Sequence, residues 1–160
     1  MRIEAKLEQL GLVLPEPLQP PGGVQLPFAF ARVSRQRVYI AGHGPQLPDG
    51  SVAPPLGKVG AEVSLEEGYE AARLTALSIL GTLKRELGDL DRVTGWLRAF
   101  GMVNSAPGFI RQPAVINGFS DLILELYGPE AGKHARSAVG LAELPFGIPV
   151  EIEAEAAIDC

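Results

Sequence analysis

One long amphipathic helix, from Ser64 to Gly88, constrains the fold more than any other stretch of the sequence. Its first residues, Ser64-Leu65-Glu66-Glu67, form a capping box, in which the serine caps the helix and the last glutamate reaches back to it. Because Gly88 is typical of the position just after a helix, the sequence predicts that the helix ends there. Apolar side chains recur every three or four residues, as on one buried helix face: Tyr69, Ala72, Ala76, Leu80, Leu83 and Leu87.

A second helix is predicted to begin at Pro113, since proline suits the first turn, where no main-chain donor is needed. Gly128-Pro129 is predicted to end it. Asn117 and Ser120 are polar positions on this helix. Its apolar stripe consists of Val115, Ile116, Phe119, Leu122, Ile123 and Leu126.

Extended segments surround these helices. Residues 28–33 and 37–42 are predicted strands that flank a turn at residues 34–37. Between the helices, the apolar run from Val93 to Val103 is predicted to be a strand at the centre of the sheet. Gly95 and Gly101 within this run indicate a bulge or a close neighbour.

The last stretch, residues 136–158, holds two extended runs around a turn at Leu144-Pro145-Phe146-Gly147, so we predict a β-hairpin. Strict alternation puts Val139, Leu141 and the apolar residues of the last run on one face. The other face collects Arg136, Ala138, Gly140, Glu151, Glu153 and Glu155.

The register of such a hairpin separates its charged residues. With the turn near Pro145-Phe146, Arg136 lies opposite Glu155, and Glu151 lies opposite about Gly140. At about 3.3 Å per residue, Arg136 and Glu151 are roughly 13 Å apart within one chain. They are therefore expected to meet only across a subunit boundary or through a distorted hairpin.

The order strand, strand, helix, strand, helix, strand, strand predicts an α+β fold with two layers. We expect a mostly antiparallel sheet with two long helices on one face. At 160 residues, a single domain is expected. Residues 1–26 form a short N-terminal helix and a proline-rich strap, and residues 27–158 form the core.

Composition excludes several classes of protein. The net charge of −5 argues against a general nucleic-acid binder. Cys160 is the single cysteine, and His43 and His134 lie far apart in the sequence, so neither a disulfide nor a metal cluster is expected. No nucleotide-binding glycine motif, secretory signal or apolar stretch long enough for a membrane span is present, which favours a cytoplasmic protein.

Two charged positions are candidates for chemistry, each with a structural alternative. Arg136 is either an exposed strand arginine, or half of an ion pair, or a fork that grips a carboxylate through two parallel hydrogen bonds. Glu151, Glu153 and Glu155 form either a solvated face or a group in which one carboxylate positions a water or moves a proton.

Three segments together resemble the Rid family, which is the YjgF-type family, also called L-PSP endoribonuclease. They are the closing stretch from Ala135 through Ala154, the run from Pro27-Phe28 to His43-Gly44-Pro45, and Asn117 in the second helix. The resemblance covers about residues 27–158. It implies a chorismate-mutase-like fold and a homotrimer with sites in the clefts between subunits.

The resemblance also implies an activity: hydrolysis of reactive 2-imino or 2-enamino acids to 2-oxo acids and ammonia, without metal or cofactor. Arg136 would hold the carboxylate of the metabolite, and Glu151 would position the attacking water. Gly42 would offer main-chain groups. The pocket would be lined by Phe28, Ala41, Asn117 and Ala138.

The sequence departs from the family pattern at four pocket positions. Phe28 replaces a frequent tyrosine, Ala41 a usual serine, His43 a common glutamine, and Ala138 the cysteine of many deaminating members. Two alternatives to the deaminase stay open: a non-catalytic, carboxylate-binding regulator that uses the same cleft, and the ribonuclease activity in the family's older name.

Overall fold

The computed structural model describes residues 2–159 and contains five strands and three α-helices in this range, in the predicted order. The helices and strands are α1 (Arg2–Gln9), β1 (Ala31–Ser34), β2 (Arg37–His43), α2 (Leu65–Leu87), β3 (Val93–Asn104), α3 (Gln112–Ala131), β4 (Ala135–Leu141) and β5 (Val150–Ile158). None of the helices in the described part of the chain combines the length and apolar character needed to span a membrane.

The five strands form one sheet in the order β1-β2-β5-β3-β4. Three of the four strand pairs are antiparallel, and only β3 and β4 run parallel. The predicted, mostly antiparallel sheet is therefore confirmed. The prediction that β3 lies at the centre of the sheet was wrong by one position. β5 is the central strand, and β3 lies between β5 and β4.

The predicted hairpin of the last two strands was wrong. β4 pairs with β3, and β3 also pairs with β5, so one strand separates the two segments that the sequence pattern joined. Alternation reports which side chains share a face but not which strand lies alongside. After α3, β4 pairs parallel with β3 at the edge of the sheet. Residues 142–149 then cross to the other side of β3, where β5 lies between β2 and β3.

This topology also corrects the predicted register. Arg136 lies opposite Ala99 of β3, not opposite Glu155, whereas Glu151 lies opposite Met102, three residues further along β3. Opposed residues on neighbouring strands point to the same face, and successive residues alternate. Arg136 thus shares its face with the fully buried Ala99, and Glu151 points to the other face.

Both long helices cover the face of the sheet that Arg136 shares. The capping box of α2 is confirmed: Ser64 Oγ accepts from Glu67 N at 3.1 Å, and Glu67 Oε1 accepts from Ser64 N at 3.1 Å. The core of this layer is continuous from Ile3 of α1 to Ile158 of β5. A Cβ on Gly101 would lie 2.6 Å from Ile116 of α3, so this strand glycine lets the helix approach closely, as the sequence indicated.

The predicted helix ends agree with the structure. α2 stops before Gly88, which has a φ of 82°. The regular part of α3 stops at Gly128, with φ 81°, and Pro129 starts one further turn. In α1, Ile3 and Leu7 are buried.

The strap, residues 12–26, runs between the loop at residues 46–51 and the C-terminal half of α2. Main-chain hydrogen bonds hold it: Glu16 N donates to Pro48 O, and Gln19 N donates to Gly50 O, both at 3.0 Å. Arg85 of α2 donates to Pro15 O, also at 3.0 Å. The proline-rich segment is therefore a fixed part of the wall of the molecule on the side of α2.

We expect Gly118→Ala to destabilise the fold strongly. Gly118 of α3 faces the main chain of α2, where an added Cβ would collide with the carbonyl of Tyr69. Overpacking against rigid backbone should cost about 3 kcal/mol of unfolding free energy, measured by urea denaturation. Gly95→Ala is the matched control, because a Cβ there meets nothing within 4 Å.

Candidate functional site

A β-bulge in β2 places Gly42 directly against Glu151. The register between β2 and β5 shifts between Ile40 and His43, so one extra residue of β2 is accommodated there. A Cβ on Gly42 would lie 2.5 Å from Glu151 Oε2. Only glycine therefore leaves room for the carboxylate in this position.

The Glu151 carboxylate lies in a cavity of about 230 Å³ whose walls are otherwise largely apolar. Burial raises the pKa of Glu151, and the negative charge of Glu153 raises it further. No hydrogen bond from residues 2–159 reaches this carboxylate. The apolar side chains around it include Leu18, Leu26, Phe28, Phe30, Phe146 and Ile148.

Arg136 lies on the opposite face of the sheet and is held by α3. Its Nη1 donates to Asn117 Oδ1 at 2.8 Å and to Ser120 Oγ at 3.1 Å. Its Nη2 donates to Pro113 O at 3.4 Å. All three acceptors are neutral oxygens, so they orient the guanidinium without neutralising its positive charge.

The charge of Arg136 is available to a ligand. Among the residues that the structure describes, no carboxylate lies within ion-pair distance of it, and partial burial lowers its pKa. Asp121 opposes this pKa shift from a longer range. A half-buried, oriented guanidinium without a carboxylate partner is suited to bind an anion through parallel hydrogen bonds.

The predicted site residues thus divide into two half-sites and one outlier. Phe28, Gly42 and Glu151 line the Glu151 cavity. Arg136 contacts Asn117, and Ala138 follows Arg136 on the same face of β4. Ala41 belongs to neither group, because it lines a separate depression with Tyr39 and Glu153. The two half-sites lie on opposite faces of one sheet, so a single chain does not bring them together.

Two residues near Arg136 were not predicted as part of the site. Ser120 bonds Arg136, and its Oγ also lies 2.9 Å from Nε2 of His134. The ring of His134 is held in turn by Gly132 O, at 2.8 Å from its Nδ1. The signal in the sequence was the polar Ser120 three residues after Asn117, which places both on one helix face.

His43 is a structural residue of the β2 end. It is 4% exposed, and burial lowers its pKa to about 4, so the ring is neutral near pH 7. Its Nδ1 lies 2.6 Å from Ala41 O, and its Nε2 lies 2.9 Å from the hydroxyl of Thr82 in α2. The histidine thereby ties the bulge in β2 to the helix layer.

Three carboxylates at the start of α1, from Glu4, Asp89 and Asp91, lie close enough together to hold a cation. Chain groups already use all three: Asp91 accepts from the main-chain nitrogens of Arg2 and Ile3, Asp89 accepts from the main-chain nitrogen of Asp91 at 2.9 Å, and Glu4 pairs with Lys84 at 2.9 Å. The cluster is accounted for as the anchor of α1.

Gly42→Ala is expected to impair the site without unfolding the protein. The added methyl collides with the far end of the flexible Glu151 side chain, which moves aside. If the Glu151 carboxylate takes part in a reaction, we expect the rate of that reaction to fall at least about 10-fold, because small misplacements of a reacting group are costly. The melting temperature should change by only a few degrees. An equal loss of activity in Gly95→Ala, which adds a methyl in open space, would contradict this reading.

Comparison with known proteins identifies the family to which this chain belongs. The family described as "YjgF/chorismate_mutase-like, putative endoribonuclease" matches residues 4–147. The chain belongs to this family, and its α+β sheet with helices on one face is the YjgF/chorismate-mutase-like fold.

Individual relatives resemble the chain over nearly its whole length. It is 40% identical to Protein TCP17 of Trypanosoma cruzi over 154 residues, which is 96% of this chain and 92% of that protein. A crystal structure of Atu1372 from Agrobacterium tumefaciens, described as of unknown function, superposes with a TM-score of 0.85 at 37% identity and covers 98% and 94% of the two chains. A "putative endoribonuclease" from Shewanella oneidensis MR-1 gives 0.86 at 29% identity and covers 98% and 99%.

Proposed function

We propose that this protein is a hydrolytic deaminase that converts reactive 2-imino or 2-enamino acids to 2-oxo acids and ammonia without a cofactor. The observation that carries the proposal is the environment of Glu151. Its carboxylate is half-buried among apolar side chains, receives no hydrogen bond from residues 2–159, and has a raised pKa. A carboxylate in this setting is suited to accept a proton from a water.

The second half of the site is supplied, in this proposal, by another copy of the chain. Arg136 carries an oriented positive charge without a carboxylate partner in the described part of the chain. It lies on the opposite face of the sheet from Glu151. We infer a homotrimer with clefts between its subunits. In each cleft, Arg136 of one subunit would face the Glu151 cavity of the next, so that each cleft holds one complete site.

The reaction follows from these two groups. Arg136 binds the substrate carboxylate through its guanidinium fork and fixes the C=N carbon over the cavity. Glu151 orients a water and takes one of its protons as the oxygen bonds to that carbon, and the protonated Glu151 then passes this proton to the imine nitrogen. In the resulting amino alcohol the hydroxyl gives up its proton and the nitrogen gains one, so the C=O bond forms as the C–N bond breaks and ammonia leaves. Since an imine is already electrophilic, orientation and a placed water suffice.

The charge and the cavity favour a small molecule over RNA, despite the description of the family. The net charge of −5 is unfavourable for binding a phosphate backbone. The cavity beside Glu151 holds about 230 Å³ and is largely apolar, as in sites for small metabolites. A regulator that binds the same carboxylates without turnover is the remaining alternative.

The test is ammonia release from imines that an amino-acid oxidase generates in the same vessel. We expect the protein to accelerate release well above the spontaneous rate for at least one amino acid in a broad panel. Light scattering should give three times the 17.0 kDa chain mass. No acceleration on any imine, with binding of the 2-oxo acids retained, would replace the deaminase with the regulator.

A further inference from the structure

We propose that the strap selects the substrate: Leu18 and Leu26 form part of the wall of the Glu151 cavity and favour substrates with a large apolar side chain. This inference rests on the proposed function, because it assigns the substrate class of the same site. Both leucines belong to the segment before the core, yet both line the cavity that contains Glu151.

The part of the strap that carries Leu18 is held in place by several contacts. Gly50 has a φ of 89°, and a Cβ at this position would collide with the carbonyl of Pro17. A glycine at this turn therefore lets the strap pack directly against it. Gln46, which is 6% exposed, donates from Nε2 to Glu16 O at 3.1 Å. Together with the main-chain bonds of Glu16 and Gln19, these contacts fix Leu18 in place.

The side chains that line the Glu151 cavity determine which substrate side chains it accepts. Leu18 and Leu26 are joined by Phe30 and by the half-exposed Phe28 and Phe146, which are 54% and 41% exposed. In the single chain this apolar surface is exposed, and a hydrocarbon side chain that covered it would be bound favourably. Glu151 contributes a negative charge, which disfavours an acidic substrate side chain in the same cavity.

The wall therefore predicts a ranking of substrates. Imines derived from phenylalanine or leucine should react with a kcat/KM about 10-fold or more above that of the imine from alanine, as expected when several methylene groups enter an apolar pocket. The imine from glutamate should be the poorest. The preference should appear mainly in KM, because the wall contacts a part of the substrate that does not react.

Variants of the strap test the assignment. Leu26→Asn and Leu18→Asn keep the approximate size and remove the apolar contact, so each should lower the phenylalanine-to-alanine ratio of kcat/KM about 10-fold. Leu26→Met should restore most of the ratio. Val24→Asn is the matched control, since Val24 is a strap residue, 52% exposed, that does not line the cavity. It should leave the ratio unchanged.

A binding measurement separates this inference from the proposed function. Calorimetry with phenylpyruvate and pyruvate, the corresponding 2-oxo acids, reports the preference of the cavity without turnover. If no imine is hydrolysed but phenylpyruvate binds more tightly and Leu26→Asn removes the difference, the deaminase is refuted and the strap inference stands. Equal kcat/KM and equal binding for small and large substrates, or a ratio that Leu26→Asn does not change, would overturn it.

Discussion

Arg136→Ala is expected to lower kcat/KM for imine hydrolysis about 100- to 1000-fold. The loss follows from removing the charged fork that orients the substrate carboxylate, since both binding energy and alignment disappear. Arg136→Lys keeps the charge but not the planar pair of donors, so it should retain more activity than alanine but less than the native protein. Stopped assays of ammonia release at several substrate concentrations measure the effect.

The control for this prediction is Arg35→Gly at the tip of the β1–β2 turn. Arg35 has a φ of 54°, a conformation that glycine adopts without strain, so this change removes an arginine while preserving the fold. Its activity should equal that of the native protein. If Arg136→Ala keeps native activity while circular dichroism shows an intact fold, Arg136 does not bind the substrate.

Glu151→Gln is expected to lower kcat about 100- to 10,000-fold, the range typical for loss of a general base. Glutamine has nearly the same shape, so the cavity and KM should change little. In the native protein the rate should fall as the pH is lowered, because a protonated Glu151 cannot take a proton from water. Burial raises the pKa of Glu151, so this fall should begin at a higher pH than for an exposed glutamate.

Glu153→Gln is the matched control for Glu151. Glu153 is the next residue on the same face of β5, but it is exposed. Its loss removes one negative charge near Glu151 and should shift the acidic limb of the pH profile slightly downward, with kcat preserved. Equal losses in both variants would mean that the charge of the strand, and not a proton transfer at Glu151, supports the rate.

Much of the fold was predictable because its signals are local. The capping box at Ser64 and Glu67, the glycine after α2, and the alternation in β5 each report a neighbourhood of a few residues. These features are fixed by helix geometry and by the two faces of a strand. The α+β class follows from their order.

The pairing of the last two strands was not predictable in the same way. β4 and β5 both alternate, and a turn lies between them, yet β3 occupies the place between them in the sheet. Which strand lies alongside β4 is decided by the crossover through α3 and by packing of the whole layer. The orientation of Arg136 by Ser120 and the contribution of Leu18 and Leu26 to the Glu151 cavity depend on the same long-range geometry.

The separation of Arg136 from Glu151 within one chain, which was predicted from the incorrect hairpin, is nevertheless observed for a different reason. The predicted hairpin register placed Arg136 and Glu151 far apart along one strand. In the structure they lie on opposite faces of the sheet. In both cases one chain keeps Arg136 apart from Glu151. The proposed mechanism therefore needs a second copy to complete the site, and this is its central claim.

Mixing two inactive variants tests this claim most directly. Arg136→Ala and Glu151→Gln chains are unfolded together in equal amounts and refolded, and the activity of the mixture is compared with that of each variant refolded alone. In a trimer with random assembly, about one quarter of the interfaces join an intact Arg136 to an intact Glu151, so about one quarter of native activity should return. A mixture no more active than the average of its parents would contradict a site shared between subunits.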